Sequence, residues 1–386
     1  MTLPLEGIKV LDLTRAMAGP FCTQILADFG AEVIKIEEPN GGDTGRSLYP
    51  VIAGQGTSFW ALNRNKRSAA LDLRSDEGKD AFKSLVAVSD VVVDPFRPGS
   101  LDKLGLGYRE LSRINPRVIV CSLSAFGQTG PIAKEGGHDI NILSLAGALG
   151  LNGTAGEAPA LPPFPIAGFS GALYAVIAIL LALQARAKTG RGQHCDVSML
   201  DGAISLMAGV LGDWAGTGGI QGQGMISGQF ACYNTYRTCD DRHIAVGHIE
   251  TKFWLALLEK IGCPELVNWQ WDPAKQTELK AIIQEQIGKK TLEEWLEILG
   301  DIPCVNPVLD LDEVCKHPQI KDREMIYELK DFQQSGTSMY LTGIPIKLSA
   351  TPGHTRFKFP GLGEHTEEVL EEARLAKRVV QLRPKQ

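Results

Sequence analysis

Several signatures that would settle an activity on their own are missing from this chain of 386 residues. No G-x-G-x-x-G follows the first strand-like run, so the glycines that let a backbone approach a pyrophosphate are absent where they belong. No G-x-x-x-x-G-K-[ST] cradle occurs, which removes P-loop chemistry. A G-x-S-x-G elbow and an H-E-x-x-H helix are missing too, so the common serine-hydrolase and zincin arrangements lose their support. The eight cysteines (22, 121, 195, 232, 239, 263, 304 and 315) include no C-x-x-C pair, so neither a zinc site nor a dithiol redox centre is expected. Positive charge is not in excess: 39 basic residues face 45 acidic ones, for a formal charge of −6. A nucleic-acid partner therefore has no electrostatic footprint, although local basic clusters can still hold a small polyanion. The opening MTLPLEGIKVLDLTR lacks a basic start followed by an apolar stretch, so no secretory signal is expected. Cytoplasmic residence with reduced thiols is the expectation.

What is present reads as an ordinary globular chain, 44% hydrophobic and 22% charged. Its length exceeds the ~250–300 residues at which a single core stops growing, so two lobes are expected. No charged residue occurs from Leu161 to Ala185. A membrane span needs ~20 mainly apolar residues, but Pro162, Pro163, Pro165, Gly168, Ser170 and Gly171 interrupt the first half. A core helix buried on most sides, and no membrane, is the reading. Residues 8–13 and 32–37 read as strands flanking a helix from Pro20 to Gly30, a β-α-β opening. Further strands are expected at 69–73, 90–93 and 118–123, with helices at 76–88 and 107–114. Segments 251–261, 276–288 and 291–299 read as amphipathic helices near a strand at 244–247. Strand-and-turn texture returns from 341, and 366–380 reads as a helix. The fold class is α/β. The expected domains are a large one from 1–200, a linker at 201–224, a small domain at 225–325 and a return to the large one at 326–386. The glycine-rich stretch 215–228 reads as an inter-lobe linker or a mobile lid.

The blocks LEGIKVLDLTRAMAGPFCTQILADFGAEVIKIE, ALNRNKRSAALDL (61–73), FRPGSLDKLGLGY (96–108), AFGQTGP (125–131) and AKTGRGQHCDVSMLDG (187–202) follow one another along the chain. With IPCVNPV (302–308), HPQI (317–320), GIPIKLSATPG and LGEHTEEVL (362–370), they resemble the class III CoA-transferases. That family, CaiB/BaiF, also contains the 2-methylacyl-CoA racemases. The resemblance implies a Rossmann-like large domain built from both chain ends, a smaller α+β domain, and an interlocked dimer of two chains threaded like linked rings. It implies acyl-CoA and carboxylic acid substrates and no covalently bound cofactor. Positions matching the family's CoA contacts are Met17, Leu71, Arg74, Phe96, Lys103 and Lys134, with Arg97 nearby. Glu38 stands where the family can carry a basic residue.

The transferase mechanism that the resemblance implies needs an aspartate to attack the thioester and form an acyl anhydride. The matching segment is Pro165-Ile166-Ala167-Gly168, so glycine occupies the nucleophile's place. The blocks around His138 and Glu250 resemble those that supply a racemase's two bases. Asp139 reads as structural. Three readings follow. The first is a nucleophile-lacking transferase subunit paired with an aspartate-bearing paralogue, as in heteromeric transferases of the benzylsuccinate type. The second is an acyl-CoA racemase or epimerase using His138 and Glu250. The third is a CoA-binding scaffold without turnover.

Overall fold

The computed structural model describes residues 2–154, 156–218 and 224–382. The chain forms two compact units. One takes the chain up to Ala146, Pro162–Leu206 and the chain from Pro318 onward; the other takes Gly147–Leu161 and Met207–His317. Within the glycine-rich stretch 215–228, residues 219–223 lie outside the described residues.

The first unit is organised by six parallel strands. Their order across the sheet is Lys66–Ala70, Glu32–Glu37, Lys9–Asp12, Val91–Asp94, Ile119–Ser124, His194–Ser198. Strands buried on both faces read as continuous apolar runs, and the alternation of side chains divides those runs between two cores. Val10, Val33, Val91, Val93 and Cys121 pack with the helices Ala18–Asp28 and Ile166–Thr189. Leu11, Ile34, Ile36, Val92 and Val120 pack on the other face with Asp76–Val86, Tyr108–Ile114 and Val369 of the C-terminal helix Thr366–Leu382. The sheet is therefore doubly wound. Its first strand pairs with the second on one side and with Val91–Asp94 on the other, so the strand order reverses there. Open α/β sheets bind ligands beyond the carboxyl ends of their strands at such a reversal.

Three sequence expectations change. The strand expected at 69–73 runs Lys66–Ala70, because Lys66, charged and thus unreadable as core, is a buried strand residue. The apolar helix runs Ile166–Thr189, and only half of its most apolar stretch is buried. Leu173, Ile177, Leu180 and Leu181 are exposed on it, so it is not covered on most sides within this chain. Among the described residues it is the one helix long and apolar enough to cross a membrane. Among the described residues from 341 onward, only the end of the strand Met339–Thr342 is extended in a sheet, paired antiparallel with Ile326–Leu329.

The second unit has its own core. Three antiparallel strands, in the order Val305–Pro307, His243–Gly247, Tyr233–Arg237, pack against the helices Thr251–Ile261, Gln276–Ile287 and Leu292–Leu299. Trp254, Leu257, Leu279, Ile283 and Trp295 fill the space between them.

Candidate functional site

The turn after the first strand is fixed from inside. Asp12, fully buried, accepts from the Thr14 amide at 2.9 Å, the Thr14 hydroxyl at 2.5 Å and the Thr23 hydroxyl at 2.7 Å. Lys66 Nζ donates to Asp12 at 3.1 Å, and also to Thr23, Asn63 and the Pro20 carbonyl. Burial alone would push the Asp12 carboxyl up, but Lys66 and Lys35 outweigh it and hold it down at about 2. Burial lowers Lys66 to about 8. Lys35 Nζ donates to the Thr14 carbonyl at 2.8 Å and pairs with Asp43 at 2.7 Å. Asp43 in turn accepts from the Ala16 amide at 2.8 Å. Ala16 takes a left-handed φ of 61°, a conformation that the bonds on either side of it hold in place. Asp43 N donates to Glu37, whose other partners are Arg46 and Ser68. This interior network projects Arg15 outward from the switch point.

The Val91–Asp94 strand ends the same way. Asp94 Oδ1 accepts from the Phe96 amide at 2.8 Å, and the Phe96 ring lies under the Arg15 guanidinium, 5.6 Å from centroid to Cζ. Arg15 and Phe96 together separate two cavities. The first, of about 340 Å³, is lined by Arg15, Gly19, Arg97, Ser124, Gly137 and Met199 among others. The second, of about 270 Å³, is lined by Leu13, Ile36, Glu38, Leu71, Arg74 and Leu104 among others. A larger cavity, about 610 Å³, lies at the opposite ends of the strands between Gly30–Val33, Asn65–Arg67 and the segment 356–368. It contains none of the sequence-predicted site residues.

Leu71, Arg74 and Phe96 thus come together around the second cavity, and Phe96 and Arg97 around the first. Arg74 is exposed and pairs with Glu38 and Asp72, so the carboxylate at position 38 is bound by a neighbouring cation. Met17 is half-buried just ahead of the Ala18–Asp28 helix, and Lys103 and Lys134 are exposed; none of the three lines either cavity. Sequence reasoning passed over Arg15. Its signal was its place, directly after the first strand, in a turn examined only for glycines.

His138 heads the helix Asp139–Leu145. Its amide donates to Asn141 Oδ1 at 3.1 Å, and its side chain is exposed. Asp139 Oδ1 accepts from the Gly168 amide at 2.8 Å, which ties this helix to the first turn of Ile166–Thr189. A Cβ on Gly168 would meet Ala18 and Pro165 at 3.6 Å and Asp139 Oδ1 at 3.7 Å, which is ordinary contact. The position therefore has room for a Cβ and carries none. Glu250 belongs to the second unit, exposed at the start of the Thr251–Ile261 helix. The turn before it is held by Gln270, which donates to the His248 and Ile249 carbonyls. The buried His248 ring meets the Pro303 carbonyl at 2.8 Å, and burial lowers its pKa. Among the described residues no group of His, Cys, Asp and Glu is arranged to hold a metal.

The sequence profile of CoA-transferase family III matches residues 5–366. The chain is 37% identical to human alpha-methylacyl-CoA racemase over 380 residues, covering 96% of this chain and 93% of that protein. It is 33% identical to the succinyl-CoA--L-malate CoA-transferase beta subunit of Chloroflexus aurantiacus over 382 residues, covering 96% and 94%. A crystal structure of a CAIB/BAIF family protein from Brucella suis superposes with a TM-score of 0.84 at 31% identity, covering 97% of this chain and all of that one.

Proposed function

This chain belongs to CoA-transferase family III, and from that premise we propose that it binds an acyl-CoA thioester and serves CoA transfer as a subunit without its own nucleophile. The site is the pair of cavities at the carboxyl ends of the Lys9–Asp12 and Val91–Asp94 strands. There Arg15, Arg74 and Arg97 offer cations to phosphates, while Leu71, Leu104 and Phe96 offer apolar surface to a base. The observation that carries the reading is Gly168. It is buried in the first turn of a helix, a Cβ there would make only ordinary contacts, its amide is held by Asp139, and it has no carboxylate of its own. Without that carboxylate no acyl anhydride can form at this position.

A homologous chain with an aspartate there supplies the missing group. Two observations support such a partner: the exposed apolar stripe Leu173, Ile177, Leu180 and Leu181, continued by Ile204 and Leu206, and a relative that is itself named a beta subunit. The test mixes the purified chain with an aspartate-bearing paralogue from the same genome and measures CoA transfer from succinyl-CoA to carboxylic acids. Activity only in the mixture supports the reading; full activity of either chain alone contradicts it.

The second reading, α-epimerisation, is favoured by His138 and by the 37% identity to a racemase. A thioester acidifies its α-carbon, and an exposed imidazole can exchange the proton. Deuterium incorporation from D2O into a 2-methylacyl-CoA by the chain alone, lost in His138→Ala or Glu250→Gln, would put this reading first.

A further inference from the structure

Both loops that flank the reversal of strand order hang from an aspartate at a strand's carboxyl end. Asp12 takes the amide of Thr14, and Asp94 takes the amide of Phe96, each two residues ahead. The two carboxylates have different surroundings. Asp12 lies within 4.0 Å of two ammonium groups. Asp94 is buried too, at 7% exposure against none for Asp12, yet among the described residues no lysine or arginine pairs with it. Its second oxygen accepts from Ser122 Oγ at 3.1 Å, and that hydroxyl also meets His194 Nε2 at 2.9 Å. The His194 ring stacks on Tyr108 at 5.5 Å. The titratable groups around Asp94 are Cys121 on the neighbouring strand, His194 and Asp196 on the next one, and Asp102 on the Ser100–Lys103 helix. None of them supplies a fixed positive charge.

We infer that Asp94 is a positioning residue of the acyl-CoA site: through the Phe96 amide it holds the Phe96–Arg97 wall in the place where Phe96 divides the two cavities and faces Arg15. This rests on the reading that those cavities take CoA. An ionised acceptor makes a charge-assisted hydrogen bond, stronger than a neutral one. Burial, against the bonds from Phe96 and Ser122, pushes the Asp94 carboxyl up to about 6. The wall therefore loosens on mild acidification, in a range where an exposed aspartate would stay charged.

Asp94→Asn keeps an oxygen for the Phe96 amide and gains an NH2 for Ser122 Oγ, so it removes the charge and little else. The test is the dissociation constant of CoA, by calorimetry, for the unsubstituted chain and the variant at about pH 7.5 and about pH 5.5. The variant is expected to bind about five-fold more weakly at the higher pH, with the difference closing at the lower. The phosphates of CoA titrate alike with both proteins, so they cancel in the ratio. Ser122→Ala removes one donor to the carboxylate. It should move the acid loss of affinity to higher pH, and it serves as the test if Asp94→Asn does not fold. Equal affinities at both pH values, or a deficit that does not change with pH, would overturn the inference. Failure of the unsubstituted chain to bind CoA would instead take down the assigned site and this role with it.

Discussion

On the proposed reading, position 168 separates binding from covalent chemistry. A Cβ there meets only ordinary contacts, but the position is buried, its amide is already taken by Asp139, and that carboxylate would lie 3.7 Å from the new Cβ. Gly168→Asp should therefore fold at a cost of about 1–3 kcal/mol in unfolding free energy, from burial and the like charge of Asp139, measured in urea. Asp12 is the opposite case. Asp12→Asn leaves Lys66 and Lys35 with reduced counter-charge and should cost about 3–5 kcal/mol in the same measurement. Its pKa of about 2 lies below the ordinary aspartate value, so its contribution is present above that value and lost as pH falls through 2. Asp94 has the reverse sign. Its pKa lies above the ordinary value, so the fold binds more protons than the unfolded chain between the ordinary value and about 6, and stability falls as pH rises through that window. Asp94→Asn should thus raise stability at neutral pH by on the order of 2–3 kcal/mol, a gain that disappears near pH 4. An aspartate that weakens the fold while strengthening CoA binding would mark a site where stability is given up for function.

At the scale of elements, the buried apolar strands were legible because runs such as VVVD at 91–94 have one reading in a sheet covered on both faces. The third strand was displaced by three residues because Lys66 and Arg67 look like surface. Lys66 is inside only because Asp12, Thr23, Asn63 and a carbonyl converge on it from separate parts of the chain. No local pattern announces that convergence. The Ile166–Thr189 helix was legible as a helix but not in its burial, since a segment apolar all round does not say which side is covered. On the proposed reading its exposed stripe meets a second chain. Leu181→Glu, at a residue 65% exposed, should therefore abolish association in sedimentation while leaving the far-UV circular dichroism unchanged.

At the scale of the molecule, the site depends on strand order, which sequence windows do not contain. Arg15 and Phe96 are 81 positions apart and meet because the first strand pairs with Val91–Asp94. Family blocks carried Leu71, Arg74, Phe96 and Arg97 to that place, but Asp94 and Arg15 needed the topology to be noticed. The glycine at position 168 was legible in the sequence; that it leaves the site without a nucleophile belongs to the proposed reading.

The most direct measurement is the intact mass of the purified chain after incubation with succinyl-CoA and hydroxylamine, beside Gly168→Asp treated alike. The expected result is no modification of the unsubstituted chain and an aspartyl hydroxamate at position 168 in the variant. A hydroxylamine-sensitive acyl adduct on the unsubstituted chain would show a nucleophile elsewhere and contradict the reading of a nucleophile-lacking subunit.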